Sequence, residues 1–121
     1  MDIQQIADRY VELCREGKHE QITHELYAED AVSVEAPGHE GGALGSVKGR
    51  DAIFEKGRKF LEDVVEVHGS SCSDPIVGGN WFTLAMSIDA TYKSMGRMAM
   101  AEVAVYQVRD GKIVHEQFFY G

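Results

Sequence analysis

Two prolines, two cysteines and a single tryptophan in 121 residues are the scarcest features of this chain, and no apolar run in it is long. Each scarcity excludes something. Cys14 and Cys72 lie far apart in sequence and match neither a CxxC nor a zinc-site spacing, so a disulfide framework and a structural metal have no support. No window holds the ~18 consecutive apolar residues that a membrane-spanning helix requires. The start, Met1-Asp2-Ile3-Gln4, lacks the basic-then-apolar pattern of a secretory leader, so a cytoplasmic protein is expected. Basic side chains are also few. Twelve of them face 20 acidic ones, for a net charge of −8 and a pI near 5.0. Binding a polyanion means neutralising phosphates with Lys and Arg, so nucleic acid and anionic membrane are not expected partners.

Repeats and low-complexity tracts are missing too, and what remains is a 44% hydrophobic chain of a length suited to one domain over residues 1–121. Ile3, Ile6, Ala7, Tyr10, Val11 and Leu13-Cys14 recur at three- and four-residue steps, which predicts an amphipathic helix from about Asp2 to Arg15, stopped at Gly17. A short helix over His19 to Leu26 follows, with Ile22 and Leu26 on one face. After a turn-like Ala28-Glu29-Asp30 the period switches to two over Ala31 to Glu35, the signature of a strand. The segment from Gly38 to Gly49 holds five of the thirteen glycines and reads as a loop. It leads to a third helix through Ile53, Phe60-Leu61 and Val64, with Asp51 near its N-terminus, where a carboxylate is favoured. The remainder is strand: Val65 to Ser71, Trp81 to Tyr92, Met98 to Arg109 and, after the tight-turn pair Asp110-Gly111, Lys112 to Tyr120. The order ααβαββββ predicts an α+β domain, a cone in which three helices pack on a curved antiparallel or mixed sheet.

The Met98 to Arg109 segment is apolar at the centre of both its faces: Met98, Met100, Glu102, Ala104, Tyr106 and Val108 on one, Ala99, Ala101, Val103, Val105, Gln107 and Arg109 on the other. Three helices cannot cover two apolar faces. The expectation is a homodimer through the sheet.

Glu35 stands out among polar residues. It ends a strand just before Ala36-Pro37-Gly38, at the rim of a sheet, where a pocket would desolvate it and raise its pKa. His19 and His24 are five apart on a helix, the wrong spacing for a shared metal, and His39 and His115 lack evident partners. No metal and no cofactor is expected.

The helix-helix-strand opening, the segment Gly49-Arg50-Asp51-Ala52-Ile53 and the closing Tyr106 to Val114 resemble the SnoaL-like branch of the nuclear transport factor two-like superfamily. The resemblance covers nearly the whole chain and implies the cone-shaped α+β fold. That fold hosts isomerases, cyclases, hydrolases, dehydratases and binding modules, so activity must be argued from the site. Within the superfamily, Arg9-Tyr10-Val11-Glu12-Leu13 and Tyr27-Ala28-Glu29-Asp30-Ala31 are similar to segments of ketosteroid isomerases. That similarity implies Tyr10 as a donor to a developing oxyanion and Glu35, in place of the usual Asp, as the base. The protonated aspartate of those enzymes falls near Ala104, with Glu102 two residues away on the same face as its substitute. The loop over residues 37–47 is longer than the isomerase one.

The implied chemistry is cofactor-independent proton abstraction beside a carbonyl of an apolar small molecule, by an isomerase or cyclase, with Glu35, Tyr10 and Glu102 as the catalytic set. Tyr27, His68, Phe82, Met86, Met100, Tyr106, Phe118 and Tyr120 are the expected pocket lining. The alternative is a non-catalytic ligand-binding or dimerising module of the same fold. An epoxide hydrolase or dehydratase would need an acid–Arg–acid or His–acid grouping, for which Asp89, Arg97 and Arg109 are the available residues.

Overall fold

A computed structural model describes residues 1–39, 41 and 45–120. Helix α1 (Ile3–Arg15) begins in a capping box: Asp2 accepts from the Gln5 amide at 2.8 Å, and the Gln5 side chain accepts from the Asp2 amide at 2.9 Å. It ends where Gly17 takes a φ of 73°, a conformation in which a Cβ is strained. Helix α2 (His19–Leu26) is clamped to it by Arg9, which donates to both Glu25 oxygens, at 2.6 and 3.0 Å. Arg9 of the Arg-Tyr-Val-Glu-Leu segment is therefore a helix-to-helix brace, steadied by Glu12.

Strand β1 (Tyr27–Val34) follows without a break. Ala28-Glu29-Asp30, expected as a turn, is extended. The reason is pairing: β1 runs parallel to β7 (Lys112–Phe119), with a register irregularity between Tyr27 and Val32 that absorbs those residues. Two short strands were not anticipated, β2 (Val47–Lys48) on the outer edge of β1 and β4 (Ile76–Gly78) beside β5 (Trp81–Tyr92). Both are too short for a periodicity to show. Helix α3 (Arg50–Asp63) has Asp51 in its first turn, and β3 (Val64–Cys72) and β6 (Gly96–Arg109) complete the set. The sheet order is β2-β1-β7-β6-β5-β3, antiparallel except at β1–β7. Part of the expected glycine loop, Glu40 and residues 42–44, lies outside the described residues.

The register stacks inward side chains in rows across the sheet. One row is Ser33, Glu116, Tyr106 and Phe82; two residues along lie Phe118, Ala104 and Leu84; two further along come Glu102, Met86 and Cys72. Ile6, Ala7, Tyr10, Leu13, Leu26 and Ile53 from the helices close over the first two rows. Phe82, Leu84, Ala104 and Tyr106 there are at most 1% exposed. Beside and beyond them the packing loosens at Phe118, Met86, Glu102, Ile88, Met100 and Phe60, which are half-buried, before Ala90 and Tyr92 at the far end of β5 are buried again. The half-buried side chains point inward, so solvent reaches this part of the concave face. The packed end of the cone supplies stability and the open end supplies access.

Candidate functional site

Two hydrogen-bonded groups lie along the cone from its packed end toward the open end. The Tyr106 hydroxyl donates to that of Tyr10 at 2.7 Å. Tyr27 donates to Oε1 of Glu116, and Ser33 donates to Oε2 of the same carboxylate at 2.6 Å. Lys56, reaching in from α3, donates to Ser33 Oγ at 2.6 Å, to Glu35 Oε1 at 2.9 Å and to the Gly45 carbonyl at 3.3 Å. Tyr120 donates to Glu35 Oε2 at 2.9 Å. All three Lys56 protons are used, and it also sits 5.4 Å from the centre of the Phe118 ring.

Sequence and fold together explain this convergence. Ser33 and Glu116 are register partners across the parallel β1–β7 pair, and Glu116 is opposite Tyr106 on β6. Tyr10 comes from the apolar stripe of α1, 4.7 Å from Tyr106 and 6.1 Å from Phe82 between ring centres. Burial pushes all three tyrosines well up in pKa, so they are neutral donors and acceptors. Burial also pushes Glu116 up, while the Ser33 and Tyr27 hydroxyls and the Lys56 charge pull it back.

Glu102 is different. It stands two rows from the packed end, beside Met86, and makes no hydrogen bond or ion pair with any described residue. Burial first, then the charges of Glu35 and Glu116, raise its pKa to about 7; only Lys56 opposes them. Lys56 pairs with Glu35, whereas Glu102 has no donor among the described residues. A carboxyl balanced near neutrality serves as either acid or base.

Of the residues expected from sequence, Glu35 and Glu102 both reach the concave face, and Lys56 is the counter-ion of Glu35. Glu35 is 11% exposed at its side chain and tied to Lys56 and Tyr120. Tyr10, Tyr27, Phe82 and Tyr106 are in the packed end of the cone. Met86, Met100 and Phe118 flank Glu102 on the half-buried rows, and Tyr120 adjoins them. His68 is on β3, an exposed residue whose Nε2 is 2.7 Å from the Thr91 hydroxyl. Asp89 and Arg97 pair with each other at 3.0 Å on the outward face, apart from the concave side. Sequence reasoning missed Ser33, Lys56 and Glu116. Glu116 alternates in phase with Phe118, which was a usable sign that it points inward; Lys56 looked like any solvent-facing helical lysine. The Cys14 thiol donates to Met86 Sδ and that of Cys72 to the Ser73 carbonyl, and burial pushes the Cys14 thiol up to about 12, which keeps it protonated. Among the described residues no cluster of ligating side chains suited to a metal occurs.

This cone, its three helices and its register point to one family, whose sequence model, the SnoaL-like domain, matches residues 1–120. The chain belongs to the SnoaL-like domain family. Its structural relatives agree. A Mesorhizobium loti protein assigned provisionally to the SnoaL-like polyketide cyclases is 36% identical, with 99% of this chain and 100% of that one covered and a TM-score of 0.90. Two others share the fold at lower identity. One is a Catenulispora acidiphila protein with a ketosteroid isomerase-like fold in complex with trimethylamine, 17% identical over 96% of this chain and 85% of that one, TM-score 0.71. The other is TerC crystallised with polyporic acid, 16% identical over 97% and 89%, TM-score 0.75. No curated protein matches the chain.

Proposed function

We propose that this SnoaL-like protein is a cofactor-independent isomerase or cyclase that moves a proton beside the carbonyl of an apolar ketone, with Glu102 as the carboxyl that takes and returns it. The observation that carries this reading is Glu102 itself. It faces the solvent-reached part of the concave face, has no hydrogen-bond or ion-pair partner among the described residues, and is held near half-protonation at neutral pH by burial and two neighbouring carboxylates. Met86, Met100, Ile88, Phe60 and Phe118 supply apolar surface for a carbon skeleton. Glu35 and Lys56 form a fixed ion pair at one flank, and their charges bear on Glu102 without their leaving each other. An excess of carboxylates over cations selects a neutral ligand over an anionic one. The Mesorhizobium loti relative assigned provisionally to the polyketide cyclases supports a polyketide-like substrate.

The test is deuterium exchange at carbons beside the carbonyl, followed by NMR over a panel of steroid, terpenoid and polyketide-like ketones. Exchange is expected in the wild type, to fall at least ~100-fold in Glu102→Gln, and to survive in Tyr10→Phe, whose hydroxyl is used inside the tyrosine pair. No exchange above buffer for any ketone would favour the second reading, a ligand-binding module. Loss of exchange in Glu35→Gln but not Glu102→Gln would move the base to the sheet rim.

The homodimer belongs to the same proposal. The outward residues Trp81, Thr83, Ala85 and Ser87 of β5, Ala99, Ala101, Val103, Val105 and Gln107 of β6, and His115, Gln117 and Phe119 of β7 include no carboxylate, lysine or arginine, although 26% of the chain is charged; the Asp89–Arg97 pair lies beyond them on the same face. A trough of about 510 Å³ is lined by the outward residues Ala85, Ser87, Ala101, Val103 and Phe119 and also by Cys72, Met86, Glu102 and Tyr120. Charge depletion with exposed Val103 and Phe119 is the composition of an interface core.

A further inference from the structure

We infer that Phe60 and Tyr92 form a fixed end wall that sets the length of the ligand, so that the concave face takes a ketone of two or three fused rings and turns away one of four. The assignment rests on the concave face beside Glu102 as the ligand site proposed above. It starts from the burial of inward residues along β5. Phe82 and Leu84 belong to the packed core, Met86 and Ile88 are half-buried, and Ala90 and Tyr92 are buried again. Those last two are not part of the contiguous core that holds Phe82 and Leu84. The concave face is therefore closed at both ends of the strand, with two inward positions open between them. Their register partners on β6 are Glu102 and Met100. Side chains on one face of a strand stand ~7 Å apart, so two open positions offer ~13 Å of face. Two or three fused six-membered rings fill that length, and four overrun it.

The far closure follows from how α3 joins the sheet. The helix runs directly into β3 at Val64, the register partner of Tyr92, so its last turn is set beside that tyrosine. Phe60, one turn before Val64, meets the Tyr92 ring edge to face with 5.7 Å between centres, a favoured aromatic geometry. Val67 and Met98, the register partners of Ala90, are both exposed, so the sheet does not cover this end by itself. Tyr92, next on the same face, and the Phe60 ring against it are the bulky groups there. Asp63 pins them. Its carbonyl accepts from the Lys93 amide at 2.7 Å, and its carboxylate accepts from the Ser94 amide at 3.0 Å and the Ser94 hydroxyl at 2.5 Å. Three hydrogen bonds thus tie the end of α3 to the turn between β5 and β6, and hold the two rings together as one boundary. The Tyr92 hydroxyl is buried without a hydrogen-bond partner among the described residues, so the wall uses its ring and not its polar end.

The experiment measures binding to the full chain by equilibrium dialysis, with 2-acetylnaphthalene, 2-acetylanthracene and a four-ring 3-ketosteroid as graded probes. Apolar area alone would favour the largest. The wild type is expected to bind the two- and three-ring ketones at least ~10-fold more tightly than the four-ring one, the discrimination that a single misfit methylene produces in an apolar pocket. Phe60→Ala opens the wall and should raise the affinity for the four-ring ketone, relative to the two-ring one, at least ~10-fold. Tyr92→Phe keeps the ring and should leave the preference unchanged. Ile88→Phe shortens the open stretch from within and should weaken the three-ring ketone more than the two-ring one; it keeps the test open should Phe60→Ala fail to fold. A wild type that binds the four-ring ketone as tightly as the two-ring one, or binds none of the three, overturns the inference. So does a folded Phe60→Ala with an unchanged length preference. Binding needs no turnover, so a length preference without deuterium exchange would refute the proposed reaction and leave the wall standing. Exchange into the four-ring ketone as fast as into the others would remove the wall and leave Glu102 in its role.

Discussion

Replacing Glu102 with Gln is predicted to stabilise the protein at alkaline pH and to do nothing at acid pH. In the folded chain its pKa is lifted from the ordinary 4.5 to about 7, by burial first and then by Glu35 and Glu116. Below 4.5 Glu102 is protonated whether folded or unfolded, and the neutral glutamine is its equivalent. As pH rises through the window from 4.5 to 7, the unfolded chain releases its proton while the folded chain retains it. The stability contributed by the raised pKa is lost across that window and is gone above 7. There the ionised carboxylate costs the folded state on the order of 3 kcal/mol relative to the unfolded one, at ~1.4 kcal/mol per tenfold change in proton affinity. Glu102→Gln removes that cost. Urea unfolding at matched protein concentration should show equal stability for the two proteins near pH 4 and a gain approaching ~3 kcal/mol for the variant at pH 8. By thermal melting the gain corresponds to roughly 10 °C in a chain of this size. A variant that is less stable than wild type at pH 8, or a difference independent of pH, would refute the reasoning. It would mean that Glu102 is solvated or paired, and its place as the proton-transferring group would fall with it.

Two other consequences concern the ion pair and the sheet. Lys56→Met leaves Glu35 with its counter-charge removed at a site where both side chains are about a tenth exposed, and should cost about 3–5 kcal/mol in denaturant unfolding at pH 7. Adding Glu35→Leu should recover most of it, and no recovery would show that Lys56 acts through Ser33 instead. Val103→Arg places a charge in the middle of the uncharged stretch of the outward face and should convert a dimer into a folded monomer at ~10 μM in sedimentation velocity. A wild type that sediments as a monomer would remove the dimer from the proposal.

Much of this protein is written locally. The three helices follow from apolar residues at three- and four-residue steps, the first of them started by Asp2 and stopped by Gly17, because caps and stripes act within one or two turns of chain. Asp110-Gly111 makes its hairpin turn with both residues at positive φ, 53° and 74°, the conformation that sequence pair adopts at least cost. Strands β5 and β6 show their two faces through alternation, and that was enough to place Glu102 with Met100, Ala104 and Tyr106. Tertiary structure alone decided the rest. Alternation states which residues share a face but not which face turns inward, and it is silent on partners from other elements. The parallel β1–β7 register set Ser33 beside Glu116, and the docking of α3 brought Lys56 between Ser33 and Glu35. Glu35 and Glu102 look alike as strand carboxylates in the sequence. What separates them is a lysine that arrives from 21 residues beyond Glu35 to bond one and not the other, a difference in local field that exists only once the chain has folded.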